Sequence, residues 1–581
     1  MAGADRMSMD KSTADADVGT GGGAKGPALL QLGFASPVAP RRRSLTMVRR
    51  LVTFAVGVLA VAGCGRHETA VGEGNREQVL HMGNKDEPAD LDPQINTAIS
   101  TGTILQALFQ GLVEYSSDGE TLLPGVAERW EVSPDGLKLV FHLRADARWS
   151  NGAPLTAMDF RDSFLRLLDP HVGCENAGYA FPITGARDFL MGRSADPESV
   201  GIRAPDARTL VIRLDHPAAY LLKLLSRDPF YPVYMPSLDA SGGRRQRGGP
   251  WTRPGALVSN GPFRLLEWRP NVYVRVGANP HFWDAGRVRL REVRFYPTDD
   301  EGAEERAFRT GQLHLTYRLP KAKVPAYATE HPGELHVLQS LRSNFLTFNV
   351  SRAPFTDSRV RRAFSLAVDR QRLVNAVLGR LGTPAFSLVR PGTGGFHPPA
   401  VFAFDPAGAA RLLAEAGYPG GKGLPPVELT LNGNTGTTLE VAEVIQRMWA
   451  ENLGVRAAVR PVEFKAYLNI ERERQFQVLL EGYSYIPDPR DMLEGVVTGD
   501  PNNDSGSSDA QFDRVFAAAD QEADEERRRA AFAELEAINA REAYFAPVFY
   551  TNQGLLISPS VRGWRDNGVS VIDWRELHLE P

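Results

Sequence analysis

From Gln78 to Pro581 the sequence runs without an internal repeat, a low-complexity stretch or a composition shift that would mark a linker. A chain of this length stops growing a single core and divides into domain-sized units, three or four by a soft length prior. With no linkers between them, those units are expected to be lobes joined by several chain crossings. Alternating segments such as "LKLVFHLR" (Leu137 to Arg144) and "RTLVIRL" (Arg208 to Leu214) read as half-buried strands. Between them lie helical patterns. "DSRVRRAFSLAVDRQRLV" starts at a capping Asp357, places Val360, Phe364, Ala367 and Val368 on one stripe and is expected to end near Gly379. Strands and helices at such short intervals give a mixed α/β or α+β class. The charged stretch Gln511 to Ala543 reads as a helix with a solvated charged face.

At 43% hydrophobic and 23% charged residues, with a net charge of -4, the chain is globular and nearly neutral. Nucleic acid and anionic membrane surfaces are thereby excluded as main partners. Only Cys64 and Cys174 are present, which leaves no disulfide framework and no cysteine metal site. Cys64 closes a basic, then apolar, then small-residue order: Arg49 and Arg50, Leu51 to Ala60, and Val61-Ala62-Gly63. The apolar run is too short to span a bilayer, which takes about 20 residues. The order Val-Ala-Gly-Cys resembles the lipobox of bacterial lipoproteins, whose cysteine is acylated and becomes the mature N-terminus. The alternatives are an ordinary signal peptide or a buried helix with a chance cysteine. Residues 1–46 have no apolar periodicity and are expected to be disordered or to reflect a start codon assigned too early. Residues 47–63 are then the signal peptide and 64–77, rich in glycine and charge, a flexible tether.

The blocks "PGVAERW", "SPDG", "FHLR", "WSNGAPLTAMDF" and "SFLRLLDP" follow one another between Pro124 and Pro170. In that order and spacing they resemble the peptide- and nickel-type solute-binding proteins of ABC transporters, the oligopeptide-binding family. Further blocks, "WTRPGALVSNGPFRLLEW", "NPHFWDA", "PFTDSRVRRAFSLAVDRQRLV" and "PVFY", extend the likeness to the C-terminus. Physically, "SPDG" and "WSNG" are tight turns, and Trp149 and Phe160 are expected in the core. The resemblance implies an α/β fold of the two-lobed, type II periplasmic-binding-protein kind with an extra inserted domain. Lobe I would comprise 78–99, 218–340 and 544–581, the inserted domain 100–217, and lobe II 341–543. A solute would bind between the lobes, which close by hinge motion and present the closed form to a permease. In peptide binders of this family an extended ligand is held mainly through its backbone.

The resemblance also nominates residues. Glu87 in "KDEPADLDP" matches a cleft-facing carboxylate, although a solvated loop position would read the same way. Ser343, Asn344 and Phe345 in "RSNFLTFNV" match a strand beside the ligand, or else a plain core strand. Phe464 in "VEFKAYL" matches an aromatic of the cleft wall, and Asn176 stands where a tyrosine is expected. In "QVLLEGYSYIPDPRDML" (Gln477 to Leu493) relatives carry an aromatic and then an aspartate for the ligand's ammonium. Here Tyr483 is the aromatic, the anchor position falls on Tyr485 or Ile486, and the nearest acid is Asp488. Glu481 could compensate. Short peptides are the expected ligand; oligosaccharides, metal chelates and haem remain alternatives, the tyrosines Tyr467, Tyr483 and Tyr485 being suited to stacking. No H-E-x-x-H spacing and no G-x-S-x-G elbow occurs, so a surface-anchored hydrolase is a distant second class. No cofactor or metal is expected. The partners expected are ABC permease subunits and, through a lipid on Cys64, the membrane, with the protein itself a monomer in the periplasm or at the cell surface.

Overall fold

The computed structural model describes residues 68–119, 121–433 and 436–581. The expected signal segment, Cys64 and residues 1–46 lie outside the described residues. Among those described, no helix is long and apolar enough to cross a membrane.

Three sheets organise the chain. Val79–Gly83 pairs in parallel with Glu292–Tyr296, and Tyr273–Ala278 and Phe263–Arg269 continue that sheet antiparallel. A second sheet is wholly antiparallel, in the order Ala127–Val132, Lys138–Leu143, Thr209–Arg213, Ile202–Arg203. Both expected turns form: Gly136 and Gly152 take φ of 69° and 88°, conformations that cost glycine little. Their N–H groups close on Ser133 and Trp149 carbonyls at 2.8 Å, and Trp149 and Phe160 are fully buried. The third sheet has six strands, ordered Gly382–Pro384, Phe545–Leu556, Leu335–Phe348, Val478–Ser484, Glu428–Asn432, Ala458–Val462. Its last two strands are parallel, so the chain needs a crossover, and the helix Thr437–Leu453 supplies it. Trp449 on that helix is fully buried and donates Nε1–H to the Phe364 carbonyl at 2.9 Å.

Each sheet has its own core, and the cores redraw the expected boundaries. Ile104, Leu105 and Leu108, expected in the inserted domain, pack with Leu80, Val276 and Phe295 of the first sheet. Conversely Tyr220, Leu224 and Phe230, expected in lobe I, pack with Phe141 and Phe164 of the second. The strand Phe545–Leu556 belongs wholly to neither lobe. Its Ala546 and Val548 pack in the core of the six-stranded sheet, and its Leu555 in that of the first.

That strand and Leu335–Phe348 are therefore the paired ribbon joining two cores. Their register shifts between Gln339 and Ser343, and a bulge of this kind bends a ribbon and leaves carbonyls unpaired. Arg390, almost fully buried, supplies the missing donors: Nη1 to the Ser340 and Thr551 carbonyls at 3.1 and 3.0 Å, and Nη2 to Asn552 Oδ1 at 2.8 Å.

Local differences from the sequence expectations have identifiable causes. The supposed tether is helical over Ala70–Glu77, capped by Thr69, and docks through Gln78, which exchanges hydrogen bonds with the Leu579 backbone at 2.7 and 3.1 Å. Its glycines, which suggested a leash, permit close contact: a side chain on Gly74 would strike the Val79 carbonyl. The helix from Asp357 stops at Leu366 rather than near Gly379, because Asp369 caps a new turn. The stretch Gln511 to Ala543 is two helices, Ala510–Gln521 and Glu525–Glu542, and its charged face is not all solvated, since Arg528 and Glu536 are buried.

Candidate functional site

A cavity of about 620 Å³ lies between the first two cores and the end of the strand Val478–Ser484 in the six-stranded sheet. Phe109 belongs to the first core and Val113 and Ile486 to the second, while Tyr485, just past the strand Val478–Ser484, belongs to a further cluster with Phe345 and Leu493 beside the six-stranded sheet. Leu341, at the bulge, lines it too, so the cavity sits against the point where the ribbon bends.

Its chemistry is mixed in sign, and several of its charged groups are buried. Asp228 accepts from Asn96 Nδ2 at 2.6 Å; burial raises its pKa against the pull of neighbouring Arg227. Burial likewise raises that of Glu114, opposed by Arg575 at 2.6 Å. Arg575 is itself oriented by Asp573 at 2.8 Å. The hydroxyl of Tyr115 and the indole N–H of Trp574 are buried without a hydrogen-bond partner. Buried polar atoms are seldom left unpaired, so two on one cavity wall mark groups that a ligand can satisfy.

A second cavity of about 680 Å³ lies within the six-stranded lobe. The two share a wall: Leu341 and Ser484 face the first, Arg342 and Tyr483 the second. Asp491 lines the second while its carboxylate accepts from the N–H of Ile486 at 2.9 Å; burial pushes its pKa up to about 6.

The nominated residues divide among these places. Asn176 and Tyr485 line the interlobe cavity. Tyr485 spends its hydroxyl on the scaffold, accepting from the Arg390 N–H at 2.9 Å, and offers its ring. Asn344, Phe345, Phe464 and Tyr483 line the second cavity. Three nominated side chains are engaged elsewhere. Ser343 is fully buried and donates to the Leu388 carbonyl at 2.6 Å, so it holds the strand rather than a ligand. Glu87 lines neither cavity; its carboxylate is taken by Trp268 Nε1 and the Asn271 N–H, at 2.7 and 3.0 Å. Asp488 is fully buried in ion pairs with Arg528 and Lys223 and cannot serve as a free anchor. Glu114, Asp228, Arg227 and Arg575 were missed, because nothing in their local sequence separates them from surface charges.

A bent two-strand ribbon between α/β lobes, with a ligand-sized cavity at the bend, defines a two-lobed periplasmic solute-binding protein. The chain belongs to the bacterial extracellular solute-binding proteins, family 5, whose model matches residues 121–504. It is 32% identical to the periplasmic murein peptide-binding protein MppA of Escherichia coli, over 85% of this chain and 91% of that protein. It is 31% identical to the probable deoxycholate-binding periplasmic protein YgiS of the same organism, over 87% and 94%. With the periplasmic oligopeptide-binding protein OppA of Salmonella typhimurium the identity is 30%, over 84% and 90%. The unliganded open form of MppA superposes with a TM-score of 0.77 at 30% identity, covering 87% of this chain and 97% of that one.

Proposed function

We propose that the protein is the membrane-tethered, substrate-binding component of an ABC importer, taking short peptides into the interlobe cavity and delivering them to the permease. The observation that carries this reading is the position of the cavity: its walls come from the first two cores, from Ser484 and Tyr485 at the end of a strand of the six-stranded sheet, and from the bulge between Gln339 and Ser343. A ligand there that makes better contacts in the closed arrangement of the lobes than in the open one drives closure. The peptide-binding descriptions of MppA and OppA support the ligand class. Backbone groups where the strand Val478–Ser484 ends, and the unpaired donors of Tyr115 and Trp574, suit an extended ligand carrying carbonyls. The lobes are those defined by packing, with the inserted domain beginning near Leu112. A lipid on Cys64 holds the protein at the membrane, and it works there as a binding protein, not as an enzyme.

The likeness to YgiS supports a second reading, in which an amphipathic non-peptide carboxylate occupies the same aromatic-lined cavity near Arg227 and Arg575. Native mass spectrometry of freshly purified protein separates the two. A ladder of peptide masses supports the first; one defined non-peptide mass overturns it. For the anchor, Cys64→Ser should release the protein from the membrane fraction, and a wild-type protein without acyl groups would refute the tether.

A further inference from the structure

Glu471 ends the helix Phe464–Arg472, Glu481 lies on the strand Val478–Ser484, and Asp504 sits in the loop beyond. Far apart in sequence, they converge on the second cavity with one oxygen from each within 4.8 Å of the others. Three carboxylates held this close repel one another unless something positive, or a proton, lies between them.

No direct ion pair among the described residues supplies the positive charge, although Arg474 acts on Asp504 from a distance. Arg342, Arg472 and Arg474 line the same cavity, yet among the described residues no ion pair joins them to the trio. Arg342 donates to Ser484 Oγ at 3.1 Å, Arg474 to the Asn503 carbonyl at 2.8 Å, and Arg472 to Asn469. Thr347 donates to Glu481 but is neutral.

A second feature points into the same spot. Tyr467 is 5% exposed, and its buried hydroxyl faces the three carboxylates, near enough to Glu481 to interact with it but without a hydrogen bond of regular geometry. With its proton turned to a carboxylate, the hydroxyl oxygen still has lone pairs with which to accept.

We infer that Glu471, Glu481, Asp504 and the Tyr467 hydroxyl form a receptor for an organic cation, an ammonium or guanidinium carried on an apolar stem, such as the side chain of a basic residue in the ligand. Three oxygens within 4.8 Å of one another can all be reached by one ammonium through charge-assisted N–H···O bonds of about 2.7–2.9 Å. The rest of the cavity fits the stem: Phe345, Phe464, Leu468 and Leu480 line it, and about 680 Å³ is far more room than a bare ion fills. The inference rests on the peptide reading and deepens it, because it says which peptides are preferred. With the site empty, shared protons relieve the repulsion; a bound cation replaces them.

The test is calorimetric titration of the full chain with trialanine frameworks in which lysine, or neutral norleucine, is placed at each position in turn. At one position lysine should bind about ten- to a hundredfold tighter than norleucine. Glu481→Gln, and separately Glu471→Gln, should remove that preference while leaving affinity for the norleucine peptide unchanged. Equal affinities at every position overturn the inference and leave the peptide reading intact. No binding of either series overturns both. Preferential binding of calcium or zinc at the trio, lost in the same variants, would also overturn it in favour of a metal site. Retention of melting temperature by Glu481→Gln shows that lost discrimination is not misfolding; if that variant is unstable, Asp504→Asn, in the loop, gives the same readout and decides between the same outcomes.

Discussion

Arg528 holds both carboxylate oxygens of Asp488 at 2.9 Å, and Lys223, on the helix Tyr220–Leu224 that packs in the second core, reaches the same carboxylate at 3.1 Å. Asp488 is fully buried and the Arg528 side chain is 3% exposed. One carboxylate thus ties the helix Glu525–Glu542 and the loop lining the interlobe cavity to the helix Tyr220–Leu224 across the cleft. Asp488→Asn leaves a buried guanidinium without its counter-charge and should cost about 3–5 kcal/mol, measured by urea unfolding. Lys223→Met should cost less, its side chain being 19% exposed, and should loosen the inserted domain from lobe II.

The same pair sets an acid limit. Loss of hydration acts to raise the Asp488 pKa, but Arg528 and then Lys223 outweigh it and leave it below the ordinary value. A depressed folded pKa stabilises fully above the unfolded value of about 3.9, and that contribution is lost as pH falls through the folded one. Unfolding free energy should therefore decline below about pH 4, and Asp488→Asn should flatten that part of the profile.

Arg390 donates to two backbone carbonyls at the ribbon's bulge, Ser340 and Thr551. Arg390→Met strips these carbonyls of their donors and should cost about 1–3 kcal/mol in urea unfolding. The bend should also become less defined, which would appear as a broader distance distribution between spin labels on the two lobes.

The Tyr115 hydroxyl is buried and unpaired on the cavity wall. Tyr115→Phe should leave the stability of the free protein unchanged or slightly raised, because nothing bonded is lost. Ligand affinity should fall by about 0.5–1.5 kcal/mol in calorimetry. Equal affinity would mean that the ligand does not use this donor.

Cation capture at the carboxylate trio should depend on pH. Burial, then neighbouring Glu471, raises the Asp504 pKa to about 7 against the pull of Arg474; Asp500 raises it further. Burial also raises Glu471, and burial with Asp504 and Glu471 raises Glu481, opposed by Thr347. The other groups facing the trio are Tyr467, held protonated by burial and these acids, and Arg342 beside it. A cation needs the ionised carboxylates, so affinity for a lysine peptide should rise as pH increases through about 7, with protons released on binding. Affinity for the norleucine peptide should stay flat across that range.

What was legible in the sequence was local. "SPDG" announced its turn because Gly136 alone must take positive φ, and "LKLVFHLR" its strand because one face is buried at every second residue. The family blocks carried the two-lobed fold. The ion pair of Asp488 could not be read from the sequence: its partner Arg528 lies 40 residues away, inside a charge run that locally resembles any solvated helix. Glu481 was noticed as an acid, but its convergence with Glu471 and Asp504 joins a helix end, a strand and a loop, and no periodicity encodes that. The helix Ala70–Glu77 was hidden because its glycines argue for flexibility until Gly74 is seen packed against Val79.

The most direct measurement is small-angle X-ray scattering of the protein alone and with a saturating basic tripeptide whose binding calorimetry has established. Closure of the lobes about the Leu335–Phe348 and Phe545–Leu556 ribbon predicts a smaller radius of gyration and a shorter maximum dimension in the complex. Identical profiles with the peptide bound would contradict the claim that a ligand closes these lobes upon itself.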